Sequence, residues 1–326
     1  MEIIKKLSID NKGNIFAIGS ILLIIPIILI AIMILNLSID SSQINTNSIA
    51  SNSFNYEIED YRRNIGIIGY ETIENLSEEA IETKIAISDS REEIKKKLQE
   101  KLDEKSNQYY NNSNTQIKAS VLYVDNNEDP FHITIKTELS GVKDNQEYQE
   151  IIENNISIIG LKDPLPPLIC GNDSNFTIDE NGKYNYGNSL FNYLNAKNTT
   201  NPQEYINATS PATIKPCPYD PYIQHGVGVT MKNCVDNGYY HESADGSCYL
   251  CRLEGKGYCY HYGMETFIIV NKSSSNTLIK STSASDHVIF GYDSYPGESI
   301  VFYREENSLN NIIILDDSHK AKYGLG

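Results

Sequence analysis

The 326-residue chain contains no tryptophan, and it is short of positive charge: 27 lysines and arginines stand against 43 aspartates and glutamates, a formal charge of −16 at pH 7. A surplus of that sign repels phosphate backbones and anionic headgroups, so no nucleic-acid partner is expected. No glycine-rich phosphate loop follows a strand-like segment, and neither His-x-x-x-His nor His-Glu-x-x-His occurs, which removes the common nucleotide loop and the zinc-protease helix. No internal repeat is visible. Lysine and arginine are absent altogether between Lys12 and Arg62.

Within that gap in positive charge, residues 15–35 form a run of apolar side chains interrupted in polarity only by Ser20. At 1.5 Å per residue the run reaches about 31 Å, which matches a hydrocarbon core of about 30 Å. Pro26 removes one backbone donor, a defect that a membrane helix tolerates as a kink. Lys5, Lys6 and Lys12 precede the run, so the positive-inside rule places the N-terminus in the cytoplasm and the remainder outside the cell, on a single-pass anchor in contact with membrane lipid. A cleaved secretory signal would have a shorter apolar region and a small-residue site, and residues 36–38 offer none.

The junction Asp10-Asn11-Lys12-Gly13-Asn14 resembles the processing site of archaeal class III signal sequences, carried by type IV pilin-like proteins. The resemblance implies cleavage between Gly13 and Asn14, with the apolar helix retained as a filament core or anchor and with pilin-like or envelope proteins as partners. Members of that family usually have Gln at the first mature position and often an acidic residue at the fifth; here these are Asn14 and Ile18. The likeness covers residues 8–36. Extracellular placement would also make the Asn-x-Ser/Thr triplets at Asn75, Asn111, Asn155, Asn172, Asn175, Asn198, Asn207 and Asn271 candidate glycosylation sites.

The pattern divides the chain into a leader (1–13), a transmembrane helix (14–36), a Ser/Asn-rich stalk (37–58), an α+β domain (59–168) and a cysteine-containing antiparallel β-rich domain (169–326), an α+β fold class as a whole. Ser90 with Glu93 has the spacing of a capping box, and Ile94, Leu98 and Leu102 place an apolar stripe on the charged helix that follows. Residues 116–124 and 132–139 alternate and flank an acidic turn, the pattern of a hairpin. Short strand-like runs at 266–270, 277–280, 287–290, 299–303 and 311–315 predict a second sheet.

All six cysteines, Cys170, Cys217, Cys234, Cys248, Cys251 and Cys259, lie in the second half. In an extracellular segment an even count reads first as disulfides, in fifteen conceivable pairings. The alternative is zinc: Cys248-Tyr249-Leu250-Cys251 places two thiolates on one turn, with Cys234, Cys259, His241 and His261 nearby as further soft ligands. A thioredoxin-like use of the same pair needs a helix starting at the first cysteine, whereas residues 244–247 read as a turn. Cys259 with His225, His241 or His261 and with Asp236 or Asn237 supplies protease residue types without an arrangement, and Asp125, Glu128 and Asp129 lack the calcium-loop pattern. These readings favour a non-enzymatic surface or pilin-like protein acting in adhesion, filament or envelope contacts, without a cofactor. The alternative is a membrane-anchored enzyme or sensor with a ligand or metal site between Cys234 and His261.

Overall fold

Leucine and isoleucine at four-residue spacing need a surface to cover, and the chain builds that surface directly downstream. In the computed structural model, which describes residues 11–199, 201–227, 229–270, 279–291, 297–307 and 309–325, helix α1 (Asn11–Thr83) is followed by helix α2 (Ser90–Ser113), whose Leu102 carbonyl accepts from the Tyr61 hydroxyl and whose Lys97 pairs with Glu79. Most side chains of 11–51 lie outside the description, as do Asn271 and the side chain of Asn14 at the Gly13–Asn14 junction. The residues separate into two units, 1–60 and 61–326. The first contains, among the described residues, only helix.

Two expectations change here. Residues 37–58 form part of α1 and not an irregular stalk, because their isolated serines and asparagines include no proline or glycine to stop a helix. Among the described residues no helix is long and apolar enough to cross a membrane, and the assignment of a transmembrane helix and signal anchor is corrected on that finding. The apolar run is one stretch of a much longer helix and not a bounded span.

Strands β1 (Gln116–Asn126), β2 (His132–Lys143) and β3 (Gln146–Ser157) form an antiparallel sheet in sequence order. The β1–β2 pairing realises the alternation of 116–124 and 132–139 as a hairpin. Ile94, Leu98 and Leu102 are fully buried on α2, and Gln99 ties that face to β1 by donating to the Ala119 carbonyl at 2.8 Å and accepting from the Val121 N–H at 2.9 Å. The helix cap falls one residue earlier than the capping-box pattern: Asp89 accepts from the Glu92 N–H, while Ser90 donates both N–H and O–H to Glu254, far along the chain. Leu98→Ala is expected to cost roughly 2–5 kcal/mol, the range for truncating a fully buried leucine, and a urea melt reads it directly.

The remaining elements are α3 (Leu165–Cys170), β4 (Thr177–Ile178), β5 (Lys183–Asn185), α4 (Ser189–Ala196), β6 (Thr209–Pro211), α5 (Thr230–Asn237), β7 (His241–Ser243), α6 (Tyr249–Leu253), β8 (Gly263–Glu265), β9 (Phe267–Val270), β10 (Ile279–Ser285), α7 (Asp286–Phe290), β11 (Glu298–Arg304), β12 (Asn310–Leu315) and α8 (Asp317–Lys322). Seven strands share one sheet in the order β11-β12-β10-β9-β6-β5-β4, antiparallel except for the β10–β12 pair, and β7 with β8 forms a separate two-stranded ribbon. The result is a mixed α+β unit with a largely antiparallel sheet region. Residues 287–290 are a helical turn and not a strand. His287, Val288, Ile289 and Phe290 are all buried, so alternation had no solvent face to report.

A buried cation holds these layers in register. Arg252 on α6, 1% exposed, donates to Asp163 ahead of α3, to Asp286 at the start of α7, and to the carbonyls of Ser247 and Met264. Tyr240 adds its hydroxyl to Asp163 at 3.1 Å. Four separate stretches of chain therefore meet at one guanidinium, beside the segment that carries five of the six cysteines.

Candidate metal centres

Residues 216–265 have few apolar side chains of their own and are organised around sulfur and imidazole. The first centre takes one ligand from each of four segments. Cys217 follows Pro216 and is pinned by its N–H to the Tyr240 carbonyl. His225 closes a 3-10 turn (Tyr222–Gly226), Cys234 lies in α5, and His241 opens β7. Gly238 brings the last two together: at φ +65° it ends α5 in the left-handed region, its N–H caps the Cys234 carbonyl, and the chain turns at once toward His241.

The ligand atoms of Cys217, His225, Cys234 and His241 lie within 4.8 Å of one another. Sγ of Cys217 is 3.4 Å from Sγ of Cys234 and 3.4 Å from Nε2 of His225; Cys234 Sγ to His225 Nε2 is 3.2 Å, and the two Nε2 atoms are 3.3 Å apart. Zinc bonds of about 2.3 Å to sulfur and about 2.0–2.1 Å to nitrogen put the edges of a tetrahedron at about 3.3–3.8 Å. The donor set fits zinc in chemistry and in size. Two thiolates also neutralise the dication, as a site this buried requires.

Both imidazoles are fully buried, and Nδ1 of each has no hydrogen-bond partner among the described residues. Ring packing orients them instead of the usual outer carboxylate. Tyr222 and Tyr323 each contact both rings, at centroid distances of 5.2 to 5.6 Å, and Phe267 lies 5.4 Å from His241. The hydrogen bond with Cys234, and further ones with His225 and His241, pull the Cys217 thiol below its ordinary value. Burial pushes His241 below its ordinary value, toward the neutral form that binds metal.

The second centre gathers Cys248, Cys251, Cys259 and His261, again within 4.8 Å of one another. Cys248 is the N-cap of α6, and its sulfur accepts from the Cys251 N–H at 3.4 Å; the Cys259 sulfur accepts from the Cys248 N–H at 3.3 Å. Nδ1 of His261 lies 3.7 Å from Cys248 Sγ and 3.6 Å from Cys251 Sγ. Three thiolates around a dication leave one negative charge. The guanidinium of Arg91 offsets it: Nη2 lies 3.4 Å from His261 Nε2, Nε pairs with Asp125, and the field of Cys248 and Cys251 helps raise the arginine against its desolvation.

Several sequence expectations are corrected by this geometry. All six cysteines are free thiols, so the disulfide assignment does not hold. Cys170 sits apart, buried at the end of α3 in an apolar cluster, where desolvation pushes its thiol up. The expectation of no cofactor gives way to the zinc alternative, since three groups of mostly buried His, Cys and acidic side chains are placed closely enough to hold a metal. The same groups overturn the expectation of a non-enzymatic chain. The third consists of Asp245, His287 and His319.

Of the six metal candidates read from the sequence, Cys248, Cys251, Cys259 and His261 converge on one centre, whereas Cys234 and His241 belong to the other. Cys217 and His225 complete that other centre. Reading the eight ligands as two consecutive groups of four would have found them. A helix does begin at Cys248, as a redox pair would require, but Cys259 and His261 share the site. No protease arrangement forms: Asp236 pairs with Lys232, and Asn237 donates to the Asn233 carbonyl. Asp125 and Asp129 in the acidic turn are paired with Arg91 and His132. Of the sequon asparagines, Asn75, Asn111, Asn155, Asn172, Asn175, Asn198 and Asn207 are exposed.

The chain matches no family model, no curated protein and no solved structure. The pilin-like and archaeal identity suggested by the N-terminal junction therefore has no support from relatedness and is not retained.

Proposed function

We propose that this chain is a zinc protein of the enzyme or sensor class, in which two four-ligand centres build the platform for a functional site. The observation that carries the reading is the pair of four-ligand sets, Cys217/His225/Cys234/His241 and Cys248/Cys251/Cys259/His261, each with its ligand atoms within 4.8 Å of one another. A centre with four protein ligands has no open position for substrate, so its first task is to fix the surrounding chain. What it fixes here is substantial: α5, β7, α6 and the lead-in to β8 all hang from the two centres.

Elemental analysis of the purified full-length protein, made in zinc-supplemented medium, tests the reading. Two zinc ions per chain are expected at these centres, with Cys234→Ser and Cys251→Ser each removing one. A chain that holds no zinc, or one whose zinc content is unchanged by both substitutions, would end it. The centres also differ in exposure, since His261 is exposed whereas His225 and His241 are buried. A chromogenic chelator is therefore expected to withdraw the metal in two phases, the second centre first, and His261→Ala is expected to shorten only the fast phase.

A further inference from the structure

The group at the C-terminal helix differs from the other two in containing no sulfur. Asp316 is the N-cap of α8, and its carboxylate spans two stacked imidazoles: His319 Nδ1 lies 2.9 Å from one oxygen and 3.1 Å from the other, and His287 Nε2 lies 3.3 Å from the latter. The rings are nearly parallel, 4.6 Å apart between centroids. Asp245, from the loop after β7, completes the group, with ligand atoms of Asp245, His287 and His319 within 4.8 Å of one another. Ser318 Oγ stands between them, 3.3 Å from the Asp245 carboxylate and 3.2 Å from His319 Nδ1.

His319 is oriented from behind. Its Nε2 faces Glu265, which is fully buried and also receives Lys322 and the hydroxyl of Tyr323. Glu265 is thus committed to an outer layer behind the ring, and Nδ1 is the imidazole nitrogen on the side of Asp316. A carboxylate behind a histidine is the usual way in which a metal-bound imidazole is fixed.

We infer that Asp245, His287, Asp316 and His319 form a third metal site, for a divalent first-row cation with open coordination positions. Bonds of about 2.1 Å to nitrogen and oxygen place neighbouring ligand atoms at about 3.0–3.4 Å, which matches the spacings around Asp316. Two imidazoles and two carboxylates with no thiolate suit Zn2+, Fe2+, Co2+ or Mn2+. The site has a wet edge: both histidines are 1% exposed, but Asp245 and Asp316 are half-buried and Ser318 is exposed. An open edge admits water or an anionic ligand to the metal, as a sensing or catalytic centre requires and a closed one prevents. The inference deepens the proposed function by locating its reactive or sensing part, and it stands or falls separately from the cysteine centres.

Cobalt distinguishes the sites. The full-length protein with two zinc ions in its cysteine centres, dialysed against Co2+, is expected to take up one cobalt per chain. The ion should show visible d–d absorption without the near-ultraviolet thiolate-to-cobalt band that replacement of zinc would produce. Asp316→Asn and Asp245→Asn are each expected to weaken cobalt binding at least tenfold while two zinc ions remain bound. Asp245→Asn is the safer variant, since it lies in a half-buried loop, and a thermal melt confirms that each variant is folded. A protein with two zinc ions and no bound cobalt, or cobalt uptake unchanged in both folded variants, would reduce the group to a network of ion pairs. A protein with no zinc at the cysteines but one cobalt here would instead remove the platform and leave the third site standing.

Discussion

A chelator strong enough to strip both cysteine centres is expected to abolish the cooperative thermal transition of residues 215–265, or to lower the midpoint of the whole protein by more than about 15 °C. Binding of structural zinc in small modules is worth about 10–16 kcal/mol at pH 7, as large as the about 5–15 kcal/mol that stabilises an ordinary domain. Even half of that at each of the two centres, about 10–16 kcal/mol together, moves the midpoint by about 20 °C or more at about 2–4 °C per kcal/mol for a unit of this size. The ligands come from loops, a 3-10 turn, two short helices and a three-residue strand, elements too short to hold this arrangement by themselves. Cys234→Ser is expected to reproduce the part of the loss that belongs to the first centre, since it leaves two buried imidazoles and a thiolate around an incomplete site while the second centre stays intact. Reductant without chelator is expected to change nothing, as all six cysteines are free. A midpoint that falls with reductant and ignores the chelator would return the cysteines to disulfides. Differential scanning calorimetry on the two treated samples separates these outcomes.

Arg252→Met is the second large effect, expected to destabilise by about 3–5 kcal/mol, the cost of leaving a buried ionic partner uncompensated. The guanidinium faces two carboxylates that are almost wholly buried, those of Asp163 and Asp286. Burial already pushes Asp286 above its ordinary value even with Arg252 beside it. Methionine fills much of the volume but leaves two anions facing each other without a cation. Part of the loss should return in the double variant Arg252→Met/Asp163→Asn, because one of the stranded charges is then removed. Arg252→Lys is expected to fall between them, since an ammonium cannot reach both carboxylates and the carbonyls of Ser247 and Met264 in the geometry that the planar fork allows. Urea melts of the four proteins decide the matter; equal midpoints for the wild type and Arg252→Met would show that the network adds no net stability.

The parts legible in the sequence were those in which a local period meets a single surface. The stripe of Ile94, Leu98 and Leu102 faces one sheet, and alternation over 116–124 and 132–139 marks strands with one covered face. Where burial is complete the period carries no information, and 287–290 was readable as a strand although it closes as a helical turn. The apolar run of 15–35 was equally plain, but composition does not show where a helix stops, and this one continues to Thr83.

At the metal centres the sequence determined the inventory: eight cysteines and histidines between Cys217 and His261, in an acidic chain. It did not determine the partition. Cys234 and His241 are nearer in sequence to Cys248 than to Cys217, yet they belong with Cys217 and His225, because the left-handed turn at Gly238 and the Cys217–Tyr240 hydrogen bond fold the chain back there. His287, Asp316 and His319 carried no local signal at all, since β12 and the two flanking helices bring them to Asp245 from more than forty residues away. Ligand chemistry is a property of residue types and is written in the chain; the choice of which ligands share an ion depends on distances of a few ångströms, and only the packed elements set those.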